Sequence, residues 1–357
     1  MARIGIAGAG VLGRLLAWRL SHTGHAVTVF DPAPGPQAPA TGQLADTTPH
    51  AAGFTAAGML SPLAELDHSG PAIARLGWRS LALWRDIAQA LREQGCGAPL
   101  FAQHGSLLLA HGADLGAARR VLARLQAAPD LPAPQRLDRD ALAALEPALA
   151  PGLNAWLLPD EGQVMGRDML HALATHAPGV DWRWGQQVQT VGPGALHTDN
   201  GTPSRFDLAI DVRGLGARPA LPLRGVRGEL LWLHAPGLRL LRPLRLLHPR
   251  HRVYIVPRPG NLFVVGASEI ESEDRSPVSL RSAVELMAAA HSVLPELAEA
   301  RIVHMESNLR PALPNNEPHT HTAPGLLRIN GLFRHGWLLA PALVEDALAA
   351  LGDLKHV

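Results

Sequence analysis

Three glycines set the first chemical constraint on this chain. Gly8-Ala9-Gly10-Val11-Leu12-Gly13 follows the short apolar run Arg3-Ile4-Gly5-Ile6-Ala7, and Leu12, Leu15, Leu16 and Leu20 then recur at helical spacing. A strand, a tight turn and a helix are expected in that order. Gly8 allows the turn, Gly10 lets a pyrophosphate approach the backbone at the helix N-terminus, and Gly13 lets helix and strand pack closely. Gly24-His25 ends the helix and Ala26 to Phe30 reads as a second strand. Asp31 stands at its end, where a carboxylate can accept from ribose hydroxyls. The chemistry indicated is dinucleotide binding, and the turn by itself serves NAD and FAD alike.

A second candidate is an isolated phenol. Tyr254 is the only tyrosine in 357 residues and lies in the alternating run Arg252-Val253-Tyr254-Ile255-Val256-Pro257-Arg258. With Asn261 to Ser268 this predicts a hairpin turned at Pro259-Gly260-Asn261, with Tyr254 and Val256 on one face and Val253 and Ile255 on the other. Taken singly, a strand tyrosine packs its ring and leaves its hydroxyl at the surface. Other chemistries lack their residues. The only lysine is Lys355, which leaves a Schiff base almost nowhere to sit, and there is neither a G-x-S-x-G nor a Walker A run. His319 and His321 form an H-x-H pair without a third ligand at recognisable spacing, and a proline-rich surface turn is their expected home. Glu269, Glu271, Glu273 and Asp274 read as a solvated loop, a pattern that a lid over a site would share.

The elements that must position these residues follow from periodicity. Residues 32 to 52, rich in Pro, Ala, Gly and Thr, read as a long loop, and the small residues of Thr55 to Pro62 would let a backbone lie close to a planar ligand. Helices are predicted over 72 to 93, with Ile73, Leu76, Leu83, Trp84, Ile87 and Leu91 as the buried stripe, over 114 to 126, and after an Asp cap near 138. A turn and helix follow over 160 to 177, and strands over 180 to 191. The buried strand of Phe206 to Ala217 has the unbroken apolar run of a parallel strand returning to the first sheet.

Composition bounds the rest. Hydrophobic residues make up 47% and charged residues 18%, which is globular, and the length favours two interlocked domains over one core. The formal charge is only +1, and no basic run is interleaved with aromatics, which argues against nucleic acid. Cys96 is the sole cysteine, so neither an internal disulfide nor a cysteine metal cluster is expected, and a reducing compartment, the cytoplasm, fits. Arg14 and Arg19 interrupt the N-terminal apolar stretch, which argues against a signal peptide, and no run is long enough to span a membrane. The oligomeric state is left open, a homo-oligomer included.

Taken in order, the glycine turn, Ala57-Gly58-Met59 within "AAGML", "RVYIVPR", "LRP" and "NGLFRHGWLLAPA" make the chain resemble the D-amino-acid oxidase family of flavoproteins, and within it the glycine oxidases of thiamine biosynthesis. The resemblance extends from Ile4 to about Leu351. It implies an α/β chain, α+β overall, with a Rossmann-like FAD-binding domain (1–85, 144–219, 303–357) interleaved with a substrate domain built on a mixed or antiparallel sheet (86–143, 220–302). It places Gly8, Gly10, Val11, Leu12 and Gly13 at the pyrophosphate and Asp31 at the ribose. Val188 falls near the adenine, Ala57, Gly58 and Met59 beside the flavin, and Leu332, Phe333, Arg334, His335, Gly336, Trp337 and Leu338 around its pyrimidine end. Arg310 is then the clamp for an amino-acid carboxylate, Tyr254 a second donor to it, and Arg334 a backbone acceptor for the amine. With no cysteine near 314–329 to form a thioether, FAD is expected to be noncovalent.

The activity implied is oxidation of glycine or a similar small amino acid to imine, 2-oxo acid and ammonia, with dioxygen giving hydrogen peroxide. An oxidase or dehydrogenase of D-amino acids, proline or sarcosine, and a dinucleotide-binding protein without turnover, are the alternatives. Asn308 stands where the family commonly has glycine.

Overall fold

The structure, a computed structural model, describes residues 1–37, 50–199, 201, 203–247 and 252–352. The greater part of the expected 32–52 loop therefore lies outside the described residues. β1 (Arg3–Ala7) and β2 (Ala26–Asp31) are joined by α1 (Val11–His22), as the glycine turn and leucine spacing predict. β1 lies parallel to both β2 and β13 (Leu208–Asp211), with Ile4 opposite Val27 and Leu208. The apolar strand after Phe206 thus does return to the first sheet. β20 (Leu326–Asn330) and β9 (Asp181–Trp184) extend this sheet in parallel, and β19 (His319–Ala323) ends it antiparallel, giving six strands. His319 and His321 therefore stand exposed on an edge strand, their rings stacked 6.4 Å apart, and not in a turn. Pairing with β20 outweighs the breaker signal of the nearby prolines.

Helices α1, α3 (Pro71–Glu93), α6 (Gly166–Thr175) and α8 (Gly336–Ala350) pack around that sheet, burying Ile4, Ile6, Leu16, Trp84, Leu91, Leu173 and Leu339 in one core. The expected stripe of α3 is borne out at Ile73, Trp84, Ile87 and Leu91. Such burial is the main favourable contribution to folding, at roughly 1.5–3 kcal/mol for each large side chain.

The second large sheet has eight strands. Its order is β18 (Arg301–Ala312), β14 (Arg224–His234), β17 (Leu262–Gly266), β16 (Arg252–Arg258), β15 (Leu244–Leu247), β5 (Ser106–Ala110), β7 (Asn154–Leu158) and β6 (Gln135–Leu137). Only β15 and β5 pair in parallel. The hairpin of β16 and β17 turns at residues 259–261 as predicted, with Gly260 and Asn261 at positive φ. Val253 and Ile255 face a core shared with α7 (Leu280–Val293), while Tyr254 and Val256 face Ala57 and Met59. α5 (Arg139–Leu145) begins at Asp138, whose carboxylate accepts from the Ala141 N–H at 2.8 Å. α4 (Leu115–Leu125) and the short α2 (Pro62–Glu65) complete the helices.

Two three-stranded sheets link these bodies. One is β10 (Val188–Gly192), β11 (Ala195–Thr198) and β12 (Ser204–Arg205). The other is β3 (Met59–Leu60), β8 (Gly162–Val164) and β4 (Phe101–Ala102). Two strands depart from the boundaries expected from sequence: β7 and all but the first two residues of β18 lie in segments assigned to the FAD-binding domain, yet both are hydrogen-bonded into the eight-stranded sheet. Periodicity identifies a strand but carries no information on which sheet it joins. Among the described residues, no helix is long and apolar enough to cross a membrane.

Candidate active site

A cavity of about 1100 Å³ opens at the carboxyl ends of β1 and β2 and is roofed by the Tyr254 face of the eight-stranded sheet. In open parallel sheets this is where ligands bind. Gly8 has φ +104°, and a Cβ there would lie 2.7 Å from the Val212 carbonyl oxygen. A Cβ on Gly13 would collide with the Gly8 carbonyl, so this glycine sits behind the cavity wall and lets α1 pack on the turn. Above Gly10 the nearest atom a Cβ would meet is Ala51 Cβ at 3.6 Å, which leaves room over the first turn of α1. Gly10, Val11 and Leu12 line that room, with the helix's free N–H groups and positive dipole end directed at it. The Asp31 carboxylate accepts from Ala9 N–H at 2.6 Å and Ala33 N–H at 2.9 Å, and its remaining lone pairs are available to hydroxyls.

Further along the wall, Val188 is held by Arg213, whose Nη1 donates to the Val188 carbonyl at 2.8 Å while its Nη2 pairs with Asp211 at 2.8 Å. Ala57, Gly58 and Met59 form the middle of the cavity. Gly58 has φ +67°, and its carbonyl accepts from Val164 N–H at 2.8 Å. Arg258 backs this segment, donating to the Ala57 carbonyl and, at 2.6 Å, to Gln163. Burial lowers its pKa to about 10.

The opposite end carries a second helix N-terminus. Leu332, Phe333, Arg334, Gly336, Trp337 and Leu338 line it. Phe333 N–H donates to Pro311 at 2.9 Å and His335 N–H to Leu332 at 2.8 Å, so negative charge here would fall to the first-turn amides of α8. His335 itself is buried behind the wall, its Nε2 3.3 Å from Ser69 Oγ.

Here the structure brings Tyr254, Arg310 and Arg334 together on one cavity. Tyr254 is paired across β16 with Arg245 on one side and Gly266 on the other. A Cβ on Gly266 would lie 2.7 Å from the Tyr254 hydroxyl, so the phenol rests over this glycine. Arg310 lies likewise over Gly228 of β14, where a Cβ would overlap its guanidinium. Its Nη2 donates to the Ser268 carbonyl at 3.0 Å and its Nη1 to the Arg227 carbonyl at 3.3 Å. Burial pushes the Tyr254 phenol above its ordinary value, although Arg310 opposes the shift, so the hydroxyl keeps its proton and remains a donor at neutral pH.

Glu65 and Arg245 were not singled out in the sequence. Glu65, at the end of α2, gathers three cationic or ionisable partners: Arg245 at 3.3 Å, Arg334 at 3.3 Å and His335 at 3.5 Å. Burial alone would raise its pKa, but Arg334, His335 and Arg245 outweigh burial and hold the carboxyl far below the usual range. Arg334 also meets Glu269 at 3.4 Å. Of the three arginines beside Tyr254 that line the cavity, Arg245, Arg310 and Arg334, only Arg310 has no carboxylate within ion-pair distance among the described residues. Asn308 is buried, and its amide donates to Thr55 Oγ1 at 3.1 Å and to the His50 carbonyl at 3.3 Å, which fastens the 50–55 segment to β18. The one sequence signal for the floor was glycine inside apolar strands, at 228 and 266, which marks a close approach.

The acidic run also differs from its expectation. Its side chains are exposed, but Glu273 pairs with Arg218 at 2.8 Å, Glu271 with Arg224 at 3.0 Å and Asp274 with Arg227 at 3.6 Å. The strap over 268–274 is thus laced to one wall, with Ser268, Glu269 and Ile270 facing the cavity.

A cavity this long, with a helix N-terminus and a glycine cradle at one end and another helix N-terminus at the other, suits a dinucleotide whose second half is a large planar ring. That places the protein in the class of dinucleotide-dependent oxidoreductases. The chain belongs to the FAD dependent oxidoreductase family, whose model matches residues 3–349, and FAD is its cofactor. It is 36% identical to a Rhizobium etli protein assigned the name thiamine biosynthesis oxidoreductase ThiO, over 98% of this chain and 96% of that one. The crystal structure of glycine oxidase from Geobacillus kaustophilus superposes with a TM-score of 0.81 at 26% identity, covering 98% of this chain and 95% of that chain. Iminodiacetate oxidase from Chelativorans sp. BNC1 shares the fold at a TM-score of 0.81 and 24% identity, over 98% of this chain and 95% of that chain. Cys96, just beyond α3, lies outside the cavity lining.

Proposed function

We propose that the protein oxidises a small amino acid, glycine first, at the Tyr254 end of the cavity. The observation that carries this reading is Arg310, a half-buried guanidinium with no acidic partner among the described residues, held over Gly228 beside a protonated phenol. A planar fork with free N–H groups next to an O–H donor is complementary to one carboxylate. Arg334 has its side chain committed to Glu65 and Glu269, which leaves its backbone carbonyl to accept from a neutral substrate amine. The bound flavin supplies a two-electron acceptor. The chain's part is to fix the carboxylate and amine so that the Cα–H faces the flavin segment of Ala57 to Met59, and to keep bulk water from the reacting carbon. The net change is oxidation of the amine to an imine and its hydrolysis to a 2-oxo acid and ammonia, with dioxygen reduced to hydrogen peroxide. The name of the R. etli relative supports a place in thiamine biosynthesis, and the single cysteine supports a cytoplasmic setting.

The test is an anaerobic titration of the yellow holoprotein with glycine, sarcosine, D-alanine and D-proline, following the oxidised flavin's visible band and its return in air. Bleaching by glycine with prompt recovery is the expected result, and no bleaching by any of the four sinks the substrate assignment. Arg310→Ala should raise KM by roughly ten- to a hundredfold or more with FAD still bound, since a hydrogen bond to a charged group contributes about 1.5–3 kcal/mol. Tyr254→Phe should be milder, because Arg310 still holds the carboxylate.

A further inference from the structure

We infer that Glu269 sets the charge selectivity of the site, so that the enzyme accepts amines carrying one carboxylate and rejects those with a second acidic group. The inference rests on the carboxylate-binding role proposed for Arg310. Beside Tyr254 the cavity is lined by three arginines, Arg245, Arg310 and Arg334, and two carboxylates, Glu65 and Glu269, while Arg258 stays behind the wall on Ala57 and Gln163. Glu65 is buried and holds Arg245 and Arg334 from behind. Glu269 is different: it lies on the strap, lines the cavity, keeps its side chain 47% exposed and reaches Arg334 at 3.4 Å. Its field is felt at Arg310 as well.

Among these lining groups three cations stand against two anions, and the uncompensated charge sits at Arg310, which donates to the carbonyl oxygens of Arg227 and Ser268. One substrate carboxylate neutralises it. A second acidic group would lie beside Glu269, and the arginines nearest to that carboxylate, Arg334 and Arg245, are already paired. Like charges a few ångströms apart in a half-enclosed cavity repel strongly, and discrimination of this kind comes from the unfavourable contact with the wrong ligand.

The experiment compares the FAD-loaded wild type, Glu269→Gln and Glu273→Gln in two assays. In the first, glycolate and malonate are titrated as unreactive ligands, read by perturbation of the flavin's visible spectrum. In the second, kcat/KM is measured for glycine, sarcosine and iminodiacetate. Wild type should bind glycolate at least tenfold more tightly than malonate and use iminodiacetate poorly. Glu269→Gln should shift both ratios towards the dicarboxylate by tenfold or more, and added salt should narrow the wild-type ratio because the charge is partly exposed. Glu273→Gln breaks the strap's pairing with Arg218 away from the cavity and should leave both ratios unchanged.

Equal shifts in Glu273→Gln and Glu269→Gln would assign the effect to strap mobility and overturn the inference. So would an unchanged ratio in Glu269→Gln, or a wild type that prefers the dicarboxylate. Failure of any monocarboxylate to bind would instead overturn the role of Arg310. Binding of glycolate without oxidation of any amine would leave the selectivity intact and remove only the proposed substrate.

Discussion

Arg310 and Tyr254 owe their positions to two residues that have no side chain. Gly228 and Gly266 sit under the guanidinium and the phenol, and a methyl group at either would occupy the space that the functional group uses. Gly228→Ala is therefore expected to displace the flexible end of Arg310 without disturbing the backbone. KM for the amino acid should rise tenfold or more, while FAD content and the circular dichroism spectrum stay as in wild type. An unchanged KM would mean that the guanidinium does not depend on this glycine. The sequence carried the two actors, a lone tyrosine on an alternating strand and an arginine before proline, only because their order matched a family. Glu65 was beyond its reach and Glu269 was legible only as part of a solvated loop or a lid, since a carboxylate in a helix turn or an acidic loop looks solvated until the fold brings arginines to it.

At the level of elements, the short helix α2 is the weak point. It holds only four residues, too few to be stable alone, yet it carries Glu65 to Arg245 and Arg334. Glu161 fastens its start: the carboxylate accepts from Leu63 N–H at 2.9 Å and from the Ser106 hydroxyl. Burial raises the pKa of Glu161 from an ordinary 4.5 to about 7, against the pull of these hydrogen bonds. An acid whose folded pKa is raised binds its proton more tightly in the native state. Its contribution to stability is then full below about 4.5 and is lost as pH rises through about 7. Glu161→Gln removes that loss, so its melting temperature should match wild type below about pH 4.5, exceed it increasingly up to about pH 7 and keep a constant excess above that. A constant difference across this range would refute the assignment. β1, α1, β2 and the β16–β17 hairpin were legible because local pattern and tertiary role coincide there. The edge strand at His319 and the sheet membership of β7 and β18 were not, because long-range pairing decides them.

For the molecule as a whole, the cavity lies where the two large sheets meet, so its ligand joins the packing of both. FAD binds the folded chain, and melting should therefore depend on its concentration. The apoprotein is expected to gain about 2.7 kcal/mol at a hundredfold excess over Kd, read as a rise in Tm on titrating FAD. A Tm indifferent to FAD would mean that the cleft does not form part of the cooperative unit. Overall architecture was the most legible level, since a glycine turn between two apolar strands, followed by alternating strand blocks, admits few arrangements.

Trp337 is part of the cavity wall, and Trp84 lies behind it with ring centroids 5.4 Å apart and its indole N–H on the Trp337 carbonyl at 2.7 Å. An oxidised isoalloxazine absorbs where indole emits. Cofactor loading should therefore quench the ultraviolet fluorescence of this pair, giving the protein a built-in optical gauge of its own occupancy that needs no added label and touches none of the residues assigned to chemistry.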